Sequence, residues 1–90
     1  MNKADLIEQI AQAAEISKSA AERSLDALVG AVKSSLRKDE MVTLVGFGTF
    51  YAAKRAARIG RNPRTGAALD IKAARLPKFR AGKALKDAIN

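Results

Sequence analysis

The 90-residue sequence has no cysteine, no histidine and no tryptophan, and only four aromatic residues in total. Without cysteine the chain can form neither a disulfide framework nor a thiol nucleophile, and without histidine it lacks the most frequent general base. No Cys/His zinc site can be assembled either. We therefore expect no metal and no cofactor. An enzyme is the least favoured function class, because no pair of carboxylates converges on the basic part of the chain.

Long apolar runs are also missing. No stretch approaches the ~18 consecutive apolar residues of a membrane span. The first ten residues, MNKADLIEQI, carry Asp5 and Glu8 where a signal peptide has its apolar segment. We expect a cytosolic protein without a membrane partner.

The positive charge is concentrated in one half of the chain. Residues 1–50 contain six Lys/Arg and seven Asp/Glu, a net charge of −1, whereas residues 51–90 contain eleven Lys/Arg and two Asp/Glu, a net charge of +9. A concentrated positive field of this kind favours a polyanionic partner, either nucleic acid or an anionic membrane. No strongly basic amphipathic helix is evident, which disfavours the membrane.

Two helices are predicted in the N-terminal half. Asn2 can cap a first helix of about three turns, in which apolar residues recur at helical spacing from Leu6 to Ala14. A second cap can come from Ser17, or from Ser19 with Glu22 as a capping box, and the sequence leaves both open. The second helix ends near Arg37 and Lys38, and its apolar stripe comprises Ala21, Leu25, Leu28, Val29, Val32 and Leu36. Gly30 within it is expected to admit another backbone.

Residues 41–53 have the pattern of a β-hairpin, with GFG as the turn and β-branched or aromatic residues on either side. From Lys54 onward the strand continues, and Leu69, Ile71 and Ala73 mark a returning strand. Between them, residues 62–65 (NPRT) followed by Gly66 fit a β-turn with Pro63 at its second position. The prediction is a long two-stranded ribbon, followed by a short C-terminal helix in GKALKDAIN. Such a ribbon is marginally stable alone in water.

Without the ribbon, the remaining residues offer few large side chains for a core. So small a core is marginal for a stable monomer. The helical stripes and the hairpin aromatics are better buried against an identical copy. The residues predicted for this dimer core are Leu6, Leu25, Val29, Val32, Leu36 and Leu44, together with the hairpin aromatics Phe47 and Phe50.

Arginine recurs at every third position of the ribbon, at 55, 58, 61 and 64. Strict alternation puts residues 55 and 61 on one face and residues 58 and 64 on the other, unless twist or a bulge gathers them. One interpretation is a charged edge that prevents aggregation. The choice of arginine over lysine at all four positions favours recognition instead, since the planar guanidinium suits phosphates and narrow grooves.

Pro63 has two interpretations as well. It is a favourable turn residue, and it is also a rigid apolar group at the apex of an arginine-lined projection. Such a group can be inserted between base pairs as a wedge that kinks the duplex.

Several motifs resemble the HU family of bacterial histone-like DNA-binding proteins: MNKADLIEQIA, GFGTF (46–50), RAARIGRNPRTG (55–66), PKF (77–79) and AGKALKDAIN (81–90). The resemblance covers the whole chain. It implies an α+β fold, with an N-terminal two-helix unit, a three-stranded antiparallel sheet extended into a β-ribbon arm, and a short C-terminal helix. It also implies an intertwined homodimer with Phe47, Phe50 and Phe79 in the dimer core. One HU-like domain covers 1–90, in which 1–53 and 76–90 form the dimerisation body and 54–75 form the DNA-binding arm.

The implied function is architectural: binding of double-stranded DNA with little sequence specificity, and bending or compaction of it from the minor groove in the bacterial nucleoid. Proline insertion is already described for HU-type proteins. Pro63 is the predicted intercalating residue. The predicted DNA-binding residues are Lys3, Gly46, Lys54, Arg55, Arg58, Arg61, Asn62, Pro63, Arg64, Thr65, Lys72, Arg75, Arg80, Lys83 and Lys86.

The protein is expected to bind nicked, gapped or already bent DNA in preference to intact straight duplex, because the free-energy cost of bending such DNA is lower. The nearest alternative is a sequence-preferring subunit similar to integration host factor, which acts as a heterodimer. The compact length favours the HU type, although pairing with a paralogue is left open. RNA binding is a more distant alternative, since no exposed aromatic platform is evident for stacking single-stranded bases.

Overall fold

The computed structural model describes residues 1–56, 58–61, 64–71 and 73–90, and gives only the backbone of residues 58, 61 and 69–71. Within these residues there are three helices and five strands, and the single chain forms two compact units, Met1–Ser34 and Ser35–Asn90. These two units are defined by contacts within one chain, so they do not test the predicted boundaries of the dimerisation body and the arm. The division into a dimerisation body and an arm therefore stays a prediction.

Helix α1 (Lys3–Ala14) begins as the sequence predicts. The Asn2 side chain accepts a hydrogen bond from the Asp5 amide at 3.0 Å, and the Asp5 carboxylate accepts one from the Asn2 amide at 3.1 Å. This capping box satisfies two amides that an uncapped helix start would leave without partners. The helix ends at Glu15, which adopts the left-handed conformation with φ 57°.

Helix α2 (Lys18–Arg37) resolves the choice that the sequence left open. The Ser17 hydroxyl accepts a hydrogen bond from the Ala20 amide at 3.0 Å, whereas the Ser19 hydroxyl accepts one from Arg23 further along the helix. Ser17 is therefore the cap. At Gly30 an added Cβ would meet nothing within 4 Å, so no described part of the chain makes the close backbone approach expected there.

The second unit contains a three-stranded antiparallel sheet in the order β1-β2-β5, formed by β1 (Val42–Leu44), β2 (Gly48–Arg55) and β5 (Ala74–Ala81). The predicted hairpin is confirmed, because β1 pairs with β2 from Val42↔Phe50 to Leu44↔Gly48. Helix α3 (Lys83–Ile89) follows β5 directly, and the Gly82 amide at its start donates to the Phe47 carbonyl at 2.8 Å.

Three phenylalanines cluster on this sheet. Phe50 pairs with Phe79 across β2 and β5, with ring centroids 4.8 Å apart, and Phe47 lies 5.2 Å from Phe79. The distances are those of tilted aromatic pairs. Gly48 is buried beneath them, and its missing side chain leaves room for the Phe79 ring.

The chain by itself buries very little. Among the described residues, Ala11 and Ala21 are the only buried apolar side chains, and no large side chain is fully enclosed. Leu6, Val29, Phe47 and Phe79 are each 40–45% exposed. The other residues predicted for the dimer core, Leu25, Val32, Leu36, Leu44 and Phe50, are half-buried. A groove of about 500 Å³ lies open between α1 and α2 and is lined in part by Leu6, Leu25 and Val29.

Candidate nucleic-acid interface

The predicted ribbon is built from two pairs of strands that keep one register. In the sheet, β2 and β5 pair from Gly48↔Ala81 to Arg55↔Ala74. Further out, β3 (Arg58–Arg61) and β4 (Ala68–Ile71) pair from Arg58↔Ile71 to Arg61↔Ala68. Two residues separate the pairs on each strand, so neither strand gains a residue over the other. The backbone therefore shows no net insertion of the kind a bulge would require.

The pairing of β3 fixes the phase of two of the ribbon arginines. Positions 58 and 61 are three residues apart within this strand, so the pleat gives them opposite phases. Position 55 lies in the other strand pair, and its phase relative to them stays a prediction. The pairing therefore does not favour a bulge that brings the four arginines to one face, and gathering by twist stays an open alternative. The side chains of Arg58 and Arg61 lie outside the described part of the structure.

At the tip, Arg64 and Thr65 are exposed turn residues. The Thr65 hydroxyl accepts a hydrogen bond from the Ala67 amide at 3.3 Å, and Gly66 has φ 70°, a conformation that favours glycine. The turn predicted at this place therefore agrees with the residues that are described. Asn62, Pro63 and Lys72, all predicted to contact DNA, lie outside the described residues.

At the root of the ribbon, Lys54 and Arg55 end strand β2 with exposed side chains, and Arg75 is the register partner of Lys54. Lys54 and Arg75 thus occupy directly opposed positions on the same face of the sheet. The Arg75 guanidinium is engaged within the chain: its Nη1 donates to the carbonyl of Arg37 at 2.8 Å and to that of Leu36 at 3.4 Å.

Arg80 lies on the opposite face of the sheet from the phenylalanine pair. Its guanidinium carbon is 5.4 Å from the centroid of the Tyr51 ring, within range of a cation–π interaction. Lys78 is the register partner of Tyr51 and is exposed. Neither Lys78 nor Tyr51 was predicted for the interface from the sequence. The alternation of Lys78, Phe79 and Arg80 was the signal for Lys78, since it places the two cations on one face.

The remaining predicted cations lie on the helices. Lys3, at the start of α1, donates to Asp26 at 2.8 Å in an ion pair whose two side chains are both more than half exposed. That hydrogen bond, together with the negative charge of Asp26, raises the pKa of Lys3 above its ordinary value, and Glu22 adds to the effect. Lys83 and Lys86 are exposed on α3.

Gly46, also predicted to contact DNA, lies in the hairpin turn with φ 83°, where the Phe47 amide donates to the Leu44 carbonyl at 2.9 Å. The described structure therefore gives Gly46 a conformational role in the turn. In the described parts of the chain, no helix has both the length and the apolar character needed to cross a membrane.

Comparison with known proteins gives consistent matches over the full length. The sequence model of the family described as "Bacterial DNA-binding protein" matches residues 1–90. The DNA-binding protein HU-beta of Neisseria meningitidis serogroup A is 63% identical over 89 residues, which are 99% of this chain and 100% of that protein. The Escherichia coli K12 protein of the same name is 59% identical over 90 residues, with full coverage of both chains.

Solved structures are similar to this chain over nearly its whole length. The cocrystal structure of Anabaena HU with DNA has a TM-score of 0.90 at 38% identity and covers 99% of this chain and 97% of that chain. HU from Thermotoga maritima has a TM-score of 0.70 at 30% identity, with both chains covered fully. The covered lengths include all three described helices, the sheet and the positions of the ribbon.

Proposed function

Since the chain belongs to the bacterial DNA-binding protein family that includes the HU proteins, we propose that it is an architectural protein that bends or compacts double-stranded DNA with little sequence preference. Family membership identifies it as a DNA-binding protein and not as an enzyme. The observation that best supports the proposed mode is the ribbon that extends from the sheet in one register and carries exposed cations at its root and tip. We place its site of action in the cytoplasm, on the bacterial nucleoid.

In this proposal the arm follows the minor groove and its arginines contact phosphates and the groove. Arg55, Arg58 and Arg61 line the arm, Asn62, Arg64 and Thr65 lie at its tip, and Lys54 and Lys72 flank it. Lys3, Arg80, Lys83 and Lys86 contact phosphates from the body. No recognition helix is evident among the described elements. Affinity therefore comes from counterion release and from DNA deformability.

Pro63 supplies the wedge in this mechanism. Replacing it in Pro63→Ala is expected to leave binding to duplex DNA in place but to reduce the preference for nicked over intact duplex by about tenfold. Inserting the wedge into intact duplex costs a few kcal/mol because a base step must be unstacked. A nick lowers this cost, so a protein with the wedge gains more from the nick than a protein without it. Gel-shift titrations of both duplexes, with wild type and variant side by side, measure the ratio.

The other proline of the chain provides a matched control. Pro77 lies in β5 opposite Ala52, within the three-stranded sheet. Pro77→Ala should retain the wild-type ratio of nicked to intact affinity. Equal affinity of the wild-type protein for both duplexes would rule out the wedge. A single protected site in a footprint on random-sequence DNA would favour the mode of integration host factor.

The functional unit is proposed to be a homodimer. The isolated chain exposes 40–45% of Leu6, Val29, Phe47 and Phe79, and such a set of large apolar side chains is expected at an interface between subunits. The open groove between α1 and α2 is consistent with this. Two copies would also bring two arms to one DNA duplex.

A dimer makes the melting temperature depend on protein concentration. For two chains that unfold together, a tenfold dilution is expected to lower Tm by roughly 4 °C, given about 0.7 kcal/mol of unfolding enthalpy per residue. Calorimetry over a hundredfold concentration range measures this slope. A Tm that does not change with dilution would contradict the dimer. Mixing with a paralogue and repeating the measurement tests the heterodimer.

A further inference from the structure

Arg75 lies where the sheet gives way to the arm. It pairs with Lys54, one position before the last sheet pair, Arg55↔Ala74. Its side chain does not follow the arm. Instead, the guanidinium donates to the carbonyls of Arg37 at 2.8 Å and Leu36 at 3.4 Å, which are 38 and 39 residues earlier in the chain.

Those carbonyls belong to the C-terminal turn of α2, where a helix has acceptors without partners. The turn closes with hydrogen bonds from the amides of Lys38 and Glu40 to the Ser35 carbonyl and from the Asp39 amide to the Leu36 carbonyl. Asp39 has φ 61°, as this type of helix ending requires. The Arg37 carbonyl is the acceptor that Arg75 satisfies, and its positive charge lies at the negative end of the helix dipole.

The rest of the arm root offers little packing. A groove of about 540 Å³ there is lined by Lys54, Arg55, Arg75 and three alanines, Ala56, Ala73 and Ala74. A second cavity, of about 310 Å³, lies beside the guanidinium and is lined partly by Leu36, Ala52 and Pro77. Because the alanines are short and the space is open, a long side chain anchored at both ends can hold the root in one orientation.

We propose that Arg75 is a positioning residue, which fixes the direction in which the arm leaves the sheet by tying the arm root to the end of α2. This proposal rests on the proposed DNA-binding function and changes the role expected for Arg75, which was predicted from the sequence to contact DNA. The Arg75 side chain is exposed, but its charge is already compensated in part by the helix dipole, which lowers its attraction for phosphate.

The test compares Arg75→Ala with Arg80→Ala, a variant of another arginine on the same strand that we assign to phosphate contact. Two readouts are taken well below the melting temperature: amide hydrogen exchange of the free protein, and affinity for intact and nicked duplex as a function of salt. For Arg75→Ala we expect faster exchange at Asp39, Glu40, Arg55 and Ala74, and a fall of about fivefold in the ratio of nicked to intact affinity. The ratio falls because the body cations still bind intact duplex when the arm is misdirected, whereas the preference for a nick needs the wedge at the arm tip to be in place.

The salt dependence separates the two roles. Removing one phosphate contact lowers the slope of log affinity against log salt by about 0.9, so Arg80→Ala should lower it, while Arg75→Ala should leave it unchanged. Arg75→Lys, which keeps the charge and a donor, should recover most of the wild-type ratio. If Arg75→Ala does not fold, Arg75→Gln, which keeps a donor without the charge, is measured in the same way.

A lower salt slope with unchanged exchange for Arg75→Ala would identify a phosphate ligand and overturn the proposal. Faster exchange with an unchanged affinity ratio would also overturn it, since Arg75 would then only stabilise the fold. Failure of the proposed function is distinguishable from both, because the wild-type protein itself would then not bind duplex DNA.

Discussion

Raising the salt concentration from 50 to 200 mM is expected to weaken binding to random-sequence duplex DNA by roughly a thousandfold or more. The reason is the distribution of charge: eleven of the seventeen basic residues lie in residues 51–90, against two acidic ones. A dimer that neutralises six to ten phosphates releases a similar number of counterions, which weakens binding by about 10³ to 10⁵ over this range. Fluorescence anisotropy with a labelled duplex, titrated at four or more salt concentrations, measures the slope directly.

Charge-neutralising variants show where the phosphates are contacted. Arg58→Gln with Arg61→Gln removes two arm cations per chain and should lower the salt slope by about 0.9 for each phosphate that is no longer neutralised. Lys18→Gln is the control for loss of one cation outside the predicted interface, because Lys18 is exposed at the start of α2. A wild-type slope close to zero would mean that binding does not depend on phosphates. A slope that Lys18→Gln lowers as much as the arm variant would place the contacts elsewhere.

Gly48→Ala is expected to destabilise each chain by about 3 kcal/mol and to lower Tm by more than ~10 °C. A Cβ at this position would lie 2.5 Å from the Phe79 ring and 2.6 Å from the Arg80 carbonyl oxygen. The ring is held between Phe47 and Phe50, and the carbonyl belongs to the sheet, so neither can move without loss of packing or pairing. Thermal and urea unfolding monitored by circular dichroism give the two quantities.

Gly30→Ala is the control for the same chemical change. An added methyl group there meets nothing within 4 Å, and alanine is favoured over glycine in a helix by up to about 1 kcal/mol. Gly30→Ala should therefore be neutral or stabilising. Destabilisation as large as that of Gly48→Ala would show that a partner's backbone approaches Gly30 in the proposed dimer. A Gly48→Ala variant with wild-type stability would show that the sheet is less tightly packed around Phe79 than the distances indicate.

Local signals in the sequence predicted most of the elements because their causes are local. The Asn2 cap, the apolar spacing of α1 and α2 and the glycines around Phe47 each act over a few residues, and the structure confirms them. The choice between Ser17 and Ser19 was not predictable, since both hydroxyls can accept from an amide two or three residues ahead. The geometry of the helix start selected Ser17.

The roles of individual cations were harder to predict. Lys3, Arg75 and Arg80 look alike in the sequence as basic residues that accompany a basic arm. In the fold, Lys3 is paired with Asp26, Arg75 with the end of α2, and Arg80 with the Tyr51 ring. These partners lie 23, 38 and 29 residues away along the chain, and no local pattern specifies which of them a flexible side chain will reach.

The sequence by itself determined the charge asymmetry, most of the secondary structure and the lack of the usual catalytic groups, because composition and short-range spacing are enough for each. Its motifs carried the resemblance to the family. The tertiary structure decided the single register of the ribbon, the close fit at Gly48 and the engagement of Arg75, because each depends on which distant backbone lies beside it. It also showed how much apolar surface one chain leaves exposed. The burial of a side chain depends on what packs against it, and the spacing of apolar residues along a helix does not specify that.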